Sequence, residues 1–154
     1  MIEEKNLKTF IKGTQNYFSS VTGATPEIGT PYEIDASQIH GDFTASIGIS
    51  GSQRGCVYFT AKREMLEILL SQIGEISNDE ELLSDIVGEI ANTIAGNARE
   101  DLGSGFMISP PHLQNGRINL ETLYQKESSF VIPIHWKGYA CFVIISLDVM
   151  QLNN

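Results

Sequence analysis

Two acids and an amide stand at helical spacing in the segment DIVGEIANTIAGNAR, residues 85–99, as Asp85, Glu89 and Asn92. At about 100° per residue, these three together with Gly96 and Arg99 fall within roughly 80° of arc, whereas Leu83, Ile86, Val87, Ile90 and Ile94 take the opposite side. Glu89 and Asn92 are three residues apart, which sets their Cβ atoms about 5–6 Å from each other and lets both act on one target. A carboxylate accepts hydrogen bonds and pairs with a cation, and a neutral amide offers donors and an acceptor at fixed positions. An amide is no general base at neutral pH, but it can orient a water for attack, as a glutamine does in GTP hydrolysis. Gly88 and Gly96 border the same stripe, each costing about 1 kcal/mol against alanine in a helix. Either another protein's backbone comes close there, or the helix packs on a neighbouring element of its own chain.

The elements that must hold this stripe are legible from periodicity. Leu7, Phe10, Ile11, Phe18 and Val21 predict a first helix over Ile2 to Val21, stopping at Gly23. After the turn-rich TGATPEIGTP, residues Tyr32 to Ile34 form a short strand. In DFTASIGIS, Phe43, Ala45, Ile47 and Ile49 alternate strictly, and RGCVYFTA returns as the next strand. A short helix is expected from about Lys62 to Ile73. The central helix follows the linker GEISND, with Asn78 or Asp79 as N-cap, acids at 79–81 favourable to its dipole, and Gly103 and Gly105 at its end. FMISPP, RINLETLY, SSFVIPIHWKG and YACFVIISL then read as strands, the last two as a hairpin.

Each half of the chain thus runs through a helix, a glycine exit, a proline-bearing segment and an apolar hairpin, with RGCVYF in the first half parallel to KGYACFVI in the second. A duplicated helix-strand-hairpin unit yields two long helices packed on one antiparallel sheet, an α+β fold. Chance similarity between two apolar strands is the rival account. One domain over residues 1–154 is expected, long enough to enclose a core without staples.

Composition narrows the function classes. A net charge of −9 argues against nucleic-acid binding, which relies on Lys and Arg to neutralise phosphates. No apolar run approaches the roughly 18 residues of a membrane span, and the start MIEEKNLKTFIKG lacks the apolar core of a secretory signal, so a cytoplasmic protein without membrane insertion is expected. Cys56 and Cys141 sit in apolar strands as buried reduced thiols. His40, His112 and His135 are scattered without metal-ligand spacing, and no metal or cofactor bound by this chain is expected.

The run D-x-x-x-E-x-x-N formed by Asp85, Glu89 and Asn92, extended by Gly96, Asn97 and Arg99 and followed by Ser109, Pro110 and Pro111, resembles the CheC/CheX/FliY family of chemotaxis phosphatases, most of all its CheX branch. Ser71, Glu75 and Asn78 satisfy the same short spacing, but Gly74 and the linker leave no continuous helix to hold them. The resemblance implies dephosphorylation of a phosphorylated CheY-like receiver domain, the partner supplying the phosphoaspartate, a Mg²⁺ ion and a lysine. It further implies that Asn92 orients the attacking water and Glu89 contacts the receiver lysine, as the catalytic pair. Asp85, Gly88 and Gly96 are supporting positions. One active helix per chain is expected, since Ile2 to Val21 carries no second Glu/Asn pair, and either Pro110 or Pro111 fills the family's downstream proline. A homodimer is implied as well, through apolar hairpin strands that could pair at a sheet edge.

Two other classes compete. A non-enzymatic receiver-binding or scaffold module of the same fold presents the same surface. An unrelated hydrolase would use Asp85 and Glu89 as an acid/base pair with His135, although no Gly-rich phosphate loop or nucleophile motif accompanies them.

Overall fold

The computed structural model describes residues 4–33, 39, 41–75, 79–103, 105–115 and 129–147. Among these residues, three helices, α1 (Glu4–Thr22), α2 (Arg63–Gln72) and α3 (Glu80–Leu102), accompany eight strands: β1 (Glu27–Ile28), β2 (Tyr32–Glu33), β3 (Phe43–Gly51), β4 (Gly55–Ala61), β5 (Phe106–Ile108), β6 (His112–Asn115), β7 (Ser129–Trp136) and β8 (Tyr139–Leu147). The strands form one antiparallel sheet of order β1-β7-β8-β4-β3-β5, with β2 also on β7 and β6 also on β3. The α+β architecture, with two long helices on an antiparallel sheet, is the expected one.

The alternation read in β3 carries Phe43, Ala45, Ile47 and Ile49 into the core, where Val57, Phe59 and Ala61 of β4 and Cys141, Val143, Ile145 and Leu147 of β8 meet them. All three helices bury apolar faces in this one cluster: Phe10 and Phe18 from α1, Met65, Leu66 and Leu69 from α2, and Leu83, Val87, Ile90 and Ile94 from α3. Burial of that size is the dominant favourable term for a chain of this length. The opposite sheet face holds a smaller cluster, Ile39, Val131, Phe142 and Ile144.

A local two-fold relates the halves. α1 ends at Gly23 (φ 74°), whose N–H bonds the Ser19 carbonyl at 3.0 Å, and α3 ends at Gly103 (φ 100°), whose N–H bonds the Arg99 carbonyl at 3.0 Å. Each chain segment then crosses to the other half's hairpin. The Gly29 N–H reaches the Pro133 carbonyl at 2.8 Å, and the Ser109 N–H reaches the Gly48 carbonyl at 2.9 Å. The Thr44 and Thr60 hydroxyls pair across β3–β4 at 2.9 Å, and the Ser129 and Ser146 hydroxyls pair across β7–β8 at the matching place. Two residues before Thr60 and Ser146 stand Tyr58 and Ile144, directly opposite each other where β4 meets β8, on the axis itself.

The duplicated unit is therefore visible in the fold, and RGCVYF and KGYACFVI lead into the related strands β4 and β8, with their glycines at different points. Gly138 (φ 82°) lies in a two-residue turn with Lys137 (φ 49°), the form that suits a tight hairpin. Gly55 is the first residue of β4, opposite Leu147. Two short strands also escape the periodicity argument: β1 lies within TGATPEIGTP, and β6 pairs His112–Asn115 with Ser46–Phe43. The expected strand RINLETLY falls outside the described residues. So do Asn78 and His40. Asp79 caps α3, its Oδ1 accepting from the Glu81 N–H at 2.9 Å.

Ile94 tests how far the core depends on α3. It is fully buried in the main cluster, and its carbonyl lies close to Gly13 of α1. Truncation in Ile94→Ala removes contacts to both layers and is expected to cost about 2–5 kcal/mol, read as a lower urea midpoint at unchanged slope. A loss below about 1 kcal/mol would contradict this packing role.

Candidate functional site

α3 is a two-faced helix, as its spacing requires. Leu83, Ile86, Val87, Ile90 and Ile94 are buried, while Asp85, Glu89, Asn92 and Arg99 are exposed and Gly96 is half-exposed. The helix is held in register by its Asp79 cap, by the Arg63–Glu80 ion pair at 2.8 Å from α2, and by its seat on β3 and β4. Glu89 and Asn92 therefore project together from a rigid support.

Two walls flank the stripe. On one side lies the β5–β6 connection: a Cβ added at Gly88 would come within 2.7 Å of the Leu113 side chain and 3.6 Å of Pro111. Gly88 is buried there, so its lack of a side chain admits the chain's own β6 rather than a partner. Pro111 is also the proline that meets α3, and it occupies the place of Pro31 in the first half, each two residues beyond the crossing hydrogen bond of Gly29 or Ser109. Gly96 differs. Nothing lies within 4 Å of a Cβ built on it. It opens onto a cavity of about 360 Å³ lined also by Arg99, Glu100, Gly103 and Ile108. Arg99 donates from Nε to the Phe106 carbonyl at 3.0 Å, tying the end of the stripe to β5.

On the other side lies α1, packed antiparallel on α3. The Asn97 amide donates to the Gly13 carbonyl at 3.4 Å, and Lys12 pairs with Asp101 at 3.5 Å. One turn along α1 from Gly13, Tyr17 is 4% exposed, and its hydroxyl has no hydrogen-bond partner among the described residues. Burial, and secondarily the charge of Glu89, raise the Tyr17 pKa well above the usual tyrosine range. The periodicity of α3 gave no sign of Tyr17, because nothing in the sequence says which turns of two helices face each other.

Counting back from the two capping glycines, Thr9 and Lys12 of α1 stand where α3 has Glu89 and Asn92. Thr9 is buried and Lys12 is engaged with Asp101, so α1 repeats the scaffold without the carboxylate–amide pair. Glu75, of the second spacing match, lies beyond the end of α2.

His135 does not join Asp85 and Glu89. It lies on β7 opposite Glu27, in a separate pocket shaped by Thr25, Trp136 and Lys137 to which no described α3 residue contributes. The hydrolase reading built on that histidine loses its geometry. Trp136 is buried, its ring against Phe18 and its indole N–H donating to the Thr22 hydroxyl at 3.4 Å, a hairpin anchor. Cys141 is buried but Cys56 only half-buried, and burial raises the pKa of both thiols. Among the described residues no three His, Cys, Asp or Glu side chains converge, and no helix is long and apolar enough to cross a membrane. Among the described residues β7 and β8 are interior strands, with the short β1 and β2 laid on β7 at one edge and β5 and β6 on β3 at the other, so the apolar hairpin is not itself the sheet edge.

The family model described as chemotaxis phosphatase CheX matches residues 43–135. Among solved structures, the chain is similar to a CheC-like superfamily protein from Shewanella sp. PV-4 (20% identity, 96% of this chain and 100% of that one, TM-score 0.80). It is similar to the chemotaxis protein CheX from Vibrio vulnificus (23% identity, 94% and 99%, TM-score 0.76). A third similar structure is a chain of the CheX–CheY–BeF₃–Mg²⁺ complex from Borrelia burgdorferi (20% identity, 94% and 98%, TM-score 0.78). No curated protein matches the chain.

The open space at Gly96 yields a prediction independent of any partner. Gly96→Ala gains helix propensity and meets no neighbour, so it is expected to stabilise the protein by up to about 1 kcal/mol in urea unfolding. An unchanged or lower midpoint would show that the backbone at Gly96 is not the relaxed helix described.

Proposed function

The chain belongs to the chemotaxis phosphatase CheX family, and on that premise we propose that it accelerates hydrolysis of the aspartyl phosphate on a CheY-like receiver domain. The observation that carries this reading is the exposed pair Glu89 and Asn92, side by side on the outer face of a helix whose other face is locked in the core. A protein of the same fold solved with CheY, BeF₃ and Mg²⁺ supports a receiver as the partner.

In this reading the receiver brings the reacting groups. Its phosphoaspartate is the electrophile, and its Mg²⁺ neutralises phosphoryl charge. Glu89 pairs with the receiver lysine and so fixes the docking register. Asn92 then reaches the acyl phosphate, its carbonyl accepting from a water and its N–H donating toward the phosphoryl oxygens. The oriented water forms a bond to phosphorus as the phosphorus–oxygen bond to the aspartate breaks, releasing inorganic phosphate and a free carboxylate. An amide suffices because the gain comes from orientation rather than proton abstraction. Asp85 supports the same face one turn earlier, and Gly96 leaves clearance for the receiver backbone. Self-association belongs to the proposal as well, through the short edges β1–β2 or β5–β6, and a monomer in sedimentation at micromolar concentration would reject a stable homodimer.

A non-enzymatic receiver-binding module would present the same pair, and the two are separated by turnover. Asn92→Ala is expected to lower the accelerated rate about a hundredfold or more, while a beryllofluoride-loaded receiver still binds. Glu89→Ala is expected to weaken that binding about tenfold or more. The Asn92 side chain is exposed, so Asn92→Ala should move folding stability by no more than about 0.5 kcal/mol. Loss of phosphoryl label from the receiver, followed in time, reads the rate; no acceleration by the unmodified chain would leave binding as its role.

A further inference from the structure

The buried face of α1 holds a polar group that the reading above does not use. Tyr17 is 4% exposed, packs edge-to-face on Phe18 at 5.4 Å between centroids and lies in the main core cluster. That hydroxyl is unpartnered among the described residues. A buried unpaired hydroxyl costs free energy and is expected to have a purpose.

The helix pairing says what lies over it. α1 and α3 run antiparallel with Gly13 against Ile94 and Asn97, where an added Cβ would come within 3.1 Å of the Ile94 carbonyl and 3.2 Å of the Asn97 Cβ. One turn forward on α1 is Tyr17; one turn back on α3 are Ile90 and Thr93, with Glu89 next to Ile90 on the outer side of that turn. Ile90 is apolar, and the Thr93 hydroxyl already donates to the Glu89 carbonyl at 2.8 Å. Glu89 is exposed, and its long side chain changes direction through rotamers without any movement of the helix. The effect of its charge on Tyr17 agrees with this placement.

We propose that Tyr17 is a positioning residue for Glu89, its buried hydroxyl donating to the Glu89 carboxylate and fixing the direction in which that carboxylate meets a receiver lysine. The role at the lysine rests on the receiver reading of the site; the Tyr17–Glu89 contact does not. A donor held by the core restricts a flexible acid to few orientations, which lowers the ordering cost of binding. Its hydrogen bond to a charged acceptor is of the stronger kind.

Tyr17→Phe removes the hydroxyl and keeps the ring. In the free, carboxyl-labelled protein this change is expected to move the side-chain carboxyl ¹³C resonance of Glu89 and leave that of Asp85 in place. An unmoved Glu89 resonance overturns the contact. With a beryllofluoride-loaded receiver, Tyr17→Phe is expected to weaken binding about tenfold in the native background and not at all beside Glu89→Ala. Equal losses in both backgrounds would mark a merely structural tyrosine and overturn the positioning role. If Glu89→Ala and Asn92→Ala leave dephosphorylation untouched, the receiver reading fails instead, and the carboxyl resonance still decides the contact.

Discussion

The seat of α3 on the sheet is the constraint from which the remaining features follow. Leu83, Val87, Ile90 and Ile94 are at zero exposure in the shared core, which leaves the helix no rotation about its axis that would not expose one of them. Each fully buried side chain of this kind contributes about 1.5–3 kcal/mol, so turning the outer stripe inward by even a fraction of a turn is prohibitive. Asp85, Glu89 and Asn92 are thus aimed outward by residues that take no part in their chemistry. The Asp79 cap and the Arg63–Glu80 pair act at the N-terminal end, and Gly103 with the Arg99–Phe106 contact closes the other.

The same seat explains the asymmetry between the halves. Both helices follow one plan, ending in a positive-φ glycine and feeding a segment that crosses to the opposite hairpin, and β4 and β8 join the plans through Tyr58 and Ile144. A symmetric scaffold does not require symmetric chemistry. Thr9 and Lys12 occupy the places of Glu89 and Asn92, and Lys12 is turned to Asp101 of the other helix. α1 serves the outer stripe of α3 as a wall, supplying Gly13 for close approach to Ile94 and Asn97.

Much of this was legible in the chain because two periods carry it. A 3.6-residue period separates the faces of α3, and a two-residue period separates the faces of β3; both are local and survive in any tertiary setting. The α+β class and the duplicated unit follow from their order along the sequence. What escaped was non-local. β1 and β6 are too short to show alternation and exist only because β7 and β3 offer hydrogen bonds to them. The likeness between Arg54–Gly55 and Lys137–Gly138 holds only in that each dipeptide leads into a buried strand: Gly55 is already the first residue of β4, whereas Lys137 and Gly138 form the turn before β8. Gly88 could not be told from Gly96 either, since whether a missing Cβ admits a partner or the chain's own Leu113 depends on a strand more than twenty residues away.

That difference between the two glycines bears on how the site must work. An orienting amide is useful only if it arrives within a fraction of an ångström of its productive place, and a misplacement of about 1 Å can cost a hundredfold. Gly88 contributes by letting β6 close on α3, which stiffens the base of the stripe, whereas Gly96 contributes by leaving backbone uncovered beside Arg99 and Ile108. One glycine makes the helix more rigid and the other keeps it approachable. Each weakens helix propensity by about 1 kcal/mol, a cost that the packing of the opposite face easily offsets. A chain that brings no electrophile of its own in this reading has two physical requirements, a fixed angle of presentation and free access, and a helix buried on one side with an open glycine on the other meets both.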